Sequence, residues 1–83
     1  MRKNIFYKKS VSKDLEKIDH QYRLKIINQI EKELSENALK GKRLTGEFSS
    51  LFRLRIADYR VVYTLIPEGI LILRIAHRKE VYR

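Results

Sequence analysis

Eighty-three residues suffice for one domain and not for two, and a core that small leaves a thin margin of stability. The lack of cysteine excludes disulfides and thiolate metal sites, and no apolar run approaches the roughly 20 residues that cross a bilayer. A formal charge of +9, from 19 basic and 10 acidic side chains, points to a polyanionic partner: nucleic acid, an acidic membrane surface or an acidic protein.

In chain order, Asn4-Ile5-Phe6-Tyr7 predicts a short first strand. Ser10 or Ser12 can cap the next element, because a serine oxygen accepts a free amide of a first helical turn. Val11, Leu15 and Ile18 then recur at helical spacing, and Asp19-His20 marks a break. Tyr22, Ile26, Ile27, Ile30 and Leu34 form a second, longer apolar stripe between polar residues, as in an amphipathic helix. The two helices are expected to form a hairpin. The stretch from Glu36 to Gly46 reads as a loop, punctuated by Gly41 and Gly46 and anchored by Leu39 and Leu44.

Beyond it the period becomes two. Phe52, Leu54 and Ile56 fall on one face of a strand, and Arg53 and Arg55 on the other. Ala57-Asp58-Tyr59 predicts a turn, and Arg60 to Ile66 a β-branched and aromatic strand. Pro67-Glu68-Gly69 joins it to a third strand, Ile70 to Ala76, as an antiparallel hairpin. The near-continuous apolar run of that third strand suggests a central position, covered on both faces. The order βααβββ, with helices set apart from a mostly antiparallel sheet, is an α+β fold in a single domain spanning 1–83. The opening Met1-Arg2-Lys3-Asn4-Ile5-Phe6 lacks the apolar stretch of a secretory signal, which predicts a cytoplasmic protein.

The kind of base changes along the chain. Residues 1–40 hold eight lysines and two arginines, whereas residues 41–83 hold seven arginines and two lysines. Lysine on a helix solvates it. Arginine presents a rigid fork that grips a phosphate with two hydrogen bonds, so arginines clustered on strands suggest a site. In an antiparallel meander Arg55 and Arg60 should meet around their turn, and the end of the third strand should return to the same edge. This predicts a concave basic patch of Arg53, Arg55, Arg60 and Arg78, with His77 beside it. The alternative is that these arginines pair with Glu47, Asp58 and Glu80, or face water.

His77 can act as acid or base near neutral pH, with Arg78 favouring its neutral form, or it can be structural. Tyr82 can stack on a base, donate a hydrogen bond to a leaving oxygen, or pack its ring on the sheet. Tyr59 and Tyr63 read as turn and core residues. No cluster of His, Asp or Glu has metal-ligand spacing, and no glycine loop suits a phosphate cofactor, so neither a metal nor a cofactor is expected.

The runs "KRLTG", "LFRLRIADYRVVY" and "LRIAHRKEVY" (residues 42–46, 51–63 and 73–82) closely resemble the RelE/ParE superfamily of toxins from type II toxin–antitoxin pairs, across essentially the whole chain. The resemblance implies a toxin blocked by a cognate antitoxin protein. On its RelE-like branch it implies an mRNA interferase, an endoribonuclease that acts in the ribosome without a metal. There a ribose 2′-hydroxyl attacks the adjacent phosphate and leaves a 2′,3′-cyclic phosphate. Carried over by motif, Arg53 and Arg55 fall on basic strand residues, Arg60 and Arg78 on phosphate-binding arginines, and Tyr82 on a C-terminal tyrosine that stacks on the substrate. With His77 added from the reading above, the expected catalytic set is Arg55, Arg60, His77, Arg78 and Tyr82, and the expected RNA contacts are Arg43, Arg53, Arg74 and Lys79. Some relatives have a lysine general base at the position of Arg55. Arginine stays protonated and is a poor base, so either His77 accepts the proton or catalysis rests on positioning and charge. A ParE-like inhibitor of DNA gyrase and an inactive antitoxin-binding module are the alternatives.

Overall fold

The computed structural model describes residues 4–44, 46 and 50–77. The elements are β1 (Asn4–Tyr7), α1 (Val11–Glu16), α2 (His20–Glu36), β2 (Lys42–Arg43), β3 (Leu51–Ile56), β4 (Tyr59–Ile66) and β5 (Gly69–His77). The five strands form one sheet in the order β1-β5-β4-β3-β2. β1 runs parallel to β5, and the other pairings are antiparallel. The α+β architecture expected from sequence is the one found.

Alternation on the sheet divides it into two faces. Phe52, Leu54 and Ile56 of β3, Val61 and Tyr63 of β4, and Ile70, Ile72 and Ile75 of β5 are buried in one cluster. Val11 of α1 and Ile26, Ile30 and Leu34 of α2 fill the same cluster, so both helices cover this inner face. Removing such side chains from water is the main force holding α2 to the sheet. Tyr22, on the expected stripe, stays 55% exposed at the start of α2. Among the described residues no helix is long and apolar enough to cross a membrane.

Several local expectations change. Neither serine caps α1 as expected: Ser10 occupies the N-cap without a side-chain bond, and the Ser12 hydroxyl instead donates to the Lys9 carbonyl. The stretch from 36 to 46 is not all loop, because Lys42–Arg43 pairs with β3. Leu39 does not anchor it, being 61% exposed, and Ala38 is the buried residue there. β5 lies inside the sheet but next to its edge, and Arg74 is exposed on its outer face.

Two contacts fix the ends of β5. β1 stops level with Ile72, which opens the edge of β5 beyond that point. The Asp14 carboxylate of α1 accepts the Ile75 N–H there at 3.0 Å, satisfying an amide that β1 does not reach. Gly69 opens the strand at φ +149°, a conformation disfavoured for any residue with a Cβ, and a Cβ there would collide with the Asn4 carbonyl. The β3–β4 turn is tight enough to place Ala57 at φ 54°.

Candidate nucleic-acid interface

Register assigns the basic residues to faces. On the outer face, away from the helices, Lys42, Arg53, Val62 and Arg74 are successive partners across β2, β3, β4 and β5. One step toward the β3–β4 turn, Arg55 lies opposite Arg60, and Arg60 lies opposite Ala76. Five cations thus share one face. Lys42, Arg55 and Arg74 are exposed, while Arg53 and Arg60 are half-buried. Val62 lies between Arg53 and Arg74, and Ala76 lies beside Arg60.

Among the described residues no strand contains an aspartate or glutamate. The described acids sit on the helices, at Asp19 and in the turns at Asp58 and Glu68. Among the described residues no ion pair joins Asp58 to Arg53 or Arg55, and the Arg55 Nε–H lies 3.5 Å from the Ala57 carbonyl. Like charges facing one another across a sheet cost stability. They also concentrate positive potential over a narrow area, as phosphate recognition requires. A shallow groove of about 310 Å³ lies among Lys40, Gly41, Lys42, Arg53, Arg55 and Arg60.

Lys42 enters this groove because of a buried hydrogen-bond relay. The Gly41 N–H donates to the Tyr63 hydroxyl, which donates in turn to the Ala38 carbonyl, each at 2.9 Å. Burial pushes the Tyr63 phenol above its ordinary pKa, so it stays a neutral donor. Lys40 is held beside the groove by Glu33, 3.0 Å away. Alternation does not mark Lys42 as part of the site, because two residues are too few to show it; only the run KRLTG, through the family resemblance, reaches this position.

Two of the expected site residues lie elsewhere. His77 does not join the arginines. It pairs with Tyr59, whose neighbours Ile56 and Val61 set the inner face, and the two rings meet edge to face at 5.2 Å. His77 lines a separate cavity of about 230 Å³ with Asp14, Lys17, Ile18, Tyr59 and Ile75. The reason is the period of two: Arg60 and Ala76 face outward, so Tyr59 and His77 face inward. Arg43 is also turned away from Arg53. Its guanidinium lies 5.2 Å from the centre of the Phe52 ring, which stacks on Tyr63 at 5.3 Å. Arg78, Lys79 and Tyr82 lie outside the described residues, as do Glu47 and Glu80.

The family described as the ParE toxin of the type II toxin–antitoxin system parDE matches residues 5–82. The chain belongs to this toxin family. It is thus a type II toxin of the RelE/ParE superfamily. Among solved structures, the toxin resembles a chain of the RelBE2 toxin–antitoxin complex from Mycobacterium tuberculosis, at 26% identity and a TM-score of 0.85, covering 94% of this chain and 93% of the other. It resembles a chain of the RelB–RelE complex from Methanococcus jannaschii at 28% identity and a TM-score of 0.72, covering 93% and 94%. A mutant of Escherichia coli RelE in the free state shares the fold, with 19% identity and a TM-score of 0.74 over 99% and 92% of the two chains. No curated protein gives a significant match in sequence.

Proposed function

We propose that the toxin is a ribosome-dependent mRNA endonuclease whose substrate lies on the outer face of the sheet. The observation that carries this reading is a face of five cations on strands that, among the described residues, hold no carboxylate. In the proposed reaction a ribose 2′-oxygen forms a bond to the adjacent phosphorus as the bond to the 5′-oxygen breaks. The 2′-proton passes to solvent water, the 5′-oxygen takes one from water, and a 2′,3′-cyclic phosphate remains. Arg55 and Arg60, paired across β3 and β4, are suited to hold the non-bridging oxygens as charge builds on them. Arg53 and Arg74 would hold flanking phosphates. Arg78 and Tyr82 are proposed to complete the site, with a charge and a stacking ring, and Lys79 to add an RNA contact. No metal is needed in this scheme, because the guanidinium groups supply the positive charge.

His77 faces the helices, across the sheet from Arg55 and Arg60. We therefore assign catalysis to positioning and charge rather than to His77 as proton acceptor. The partner proposed for the toxin is an antitoxin with an acid-containing amphipathic segment. Two facts support it: two of the three relatives named above were solved as toxin–antitoxin complexes, and a +9 chain favours an acidic partner.

The test adds purified toxin to translating ribosomes and maps cuts by primer extension. Cuts that require ribosomes, with a pH–rate profile unchanged in His77→Ala, are expected. The ParE family match favours a second reading, a gyrase inhibitor that cuts no RNA. Intact message together with inhibited DNA supercoiling would establish that one instead.

A further inference from the structure

Toward β1 the outer face changes character. Ile70 and Ile72 of β5 are buried in the core, so strict alternation would drive Arg74 into the core as well. It does not, because Tyr63 pairs with Ile72 while Val62 pairs with Arg74. Leu73 is thus one residue extra, a β-bulge that reverses the phase. Ile75 then fills the core at 2% exposure, and Arg74 emerges on the outer face. Bulges beside functional sites commonly re-aim a side chain in this way.

The next strand places an aromatic ring near that arginine. Ile5 and Tyr7 pack against the core, so Phe6 between them takes the outer face, where it is 42% exposed. Phe6 pairs with Leu71, three residues before Arg74 and about 10 Å along the strand. The Lys8 N–H donates to the Ile72 carbonyl at 2.8 Å, which carries the pairing on and sets exposed Lys8 level with the bulge. An exposed ring on a sheet face, with cations alongside and no strand carboxylate, is the arrangement by which sheets hold single-stranded nucleic acid.

We propose that Phe6 is a base-stacking platform and Arg74 the phosphate contact nearest it, together forming a second subsite for a nucleotide farther along the RNA from the one gripped by Arg55 and Arg60. The proposal rests on the RNA reading above and adds a place on the protein where a base is held. An acidic protein segment fits less well, because the patch offers one flat ring rather than a groove for apolar side chains.

The chain has no tryptophan, so Phe6→Trp introduces a single reporter. A short, fluorescein-labelled single-stranded oligoribonucleotide, 2′-O-methylated to block cutting, is titrated at low salt while tryptophan emission and fluorescein anisotropy are followed together. Quenching in step with the anisotropy rise is expected. Phe6→Ala should weaken binding about fivefold or more, Phe6→Tyr should restore it, and Arg74→Ala should weaken it and flatten its salt dependence. Thermal melting of each variant separates a lost contact from a lost fold. Binding without quenching, with Phe6→Ala unimpaired, would overturn the subsite and leave the RNA face standing. Absence of both binding and ribosome-dependent cleavage would overturn the RNA reading and the subsite together. Emission changed by an antitoxin peptide and not by RNA would make Phe6 a protein contact and also overturn the subsite.

Discussion

The backbone amide of Gly41 donates a 2.9 Å hydrogen bond to the hydroxyl of Tyr63, a residue with no exposed surface. One phenol thereby ties the chain that enters β2 to the middle of the sheet, and the basic groove depends on it. A second bond, from the same hydroxyl to the Ala38 carbonyl, fixes the exit from α2. Core packing and placement of Lys42 are consequently one structural feature.

Removing that hydroxyl separates its polar role from its packing. Tyr63→Phe keeps the ring stacked on Phe52 and leaves the Gly41 N–H and the Ala38 carbonyl without their partner. Buried groups so orphaned cost about 1–3 kcal/mol, and each kcal/mol lowers the melting temperature of a domain this size by about 4–8 °C. Calorimetry checks the loss. Cleavage should fall as well, because Lys42 and Arg53 lose their fixed spacing.

Gly41→Ala attacks the same bond from the other side. An added Cβ would lie 2.6 Å from the Tyr63 hydroxyl and 2.9 Å from the Arg53 carbonyl, closer than real contacts allow. The expected cost is about 1–3 kcal/mol, as for other overpacked sites, measured by urea denaturation. Combined with Tyr63→Phe, the two losses should be less than additive, since both break one contact.

On the outer face, charge and identity can be separated at one position. Arg60→Ala should lower cleavage on ribosomes roughly 10²–10³-fold by removing a guanidinium from the developing charge. Arg55→Lys keeps the charge and should stay within about tenfold of the parent, whereas Arg55→Ala should fall with Arg60→Ala. Single-turnover rates on stalled ribosomes distinguish these outcomes. Since Arg55 is exposed, its variants should melt within about 0.5 kcal/mol of the parent.

Alkaline stability offers a test of the inner face. The Tyr7 hydroxyl donates to a Glu31 carboxylate oxygen at 3.2 Å, and burial, followed by the glutamate charge, raises its pKa well above 10. A phenol whose folded pKa is raised contributes stability that is fully present below the unfolded value near 10. That contribution is lost as pH climbs from there toward the folded value. Unfolding free energy should therefore decline above about pH 10, and less steeply in Tyr7→Phe. Tyr63 titrates in the same direction, so its variant should also blunt the decline. Urea titrations at pH 8 to 11 provide the measurement.

Much of this protein is written locally. The apolar spacing of Ile26, Ile30 and Leu34 specifies α2, and the alternation through Phe52–Ile56 specifies a strand with two outward arginines, because each repeat matches the geometry of its own element. The turn that joins β3 to β4 brings Arg55 and Arg60 together over a short separation, and that too is legible. Only the tertiary structure decides features that depend on distant pairing. The bulge at Leu73 overrides alternation and turns Arg74 outward, the two residues of β2 acquire a face only by joining β3, and the same register sends His77 to the helices. A sequence fixes which side chains alternate. The partner strand fixes where that alternation begins and where it is broken.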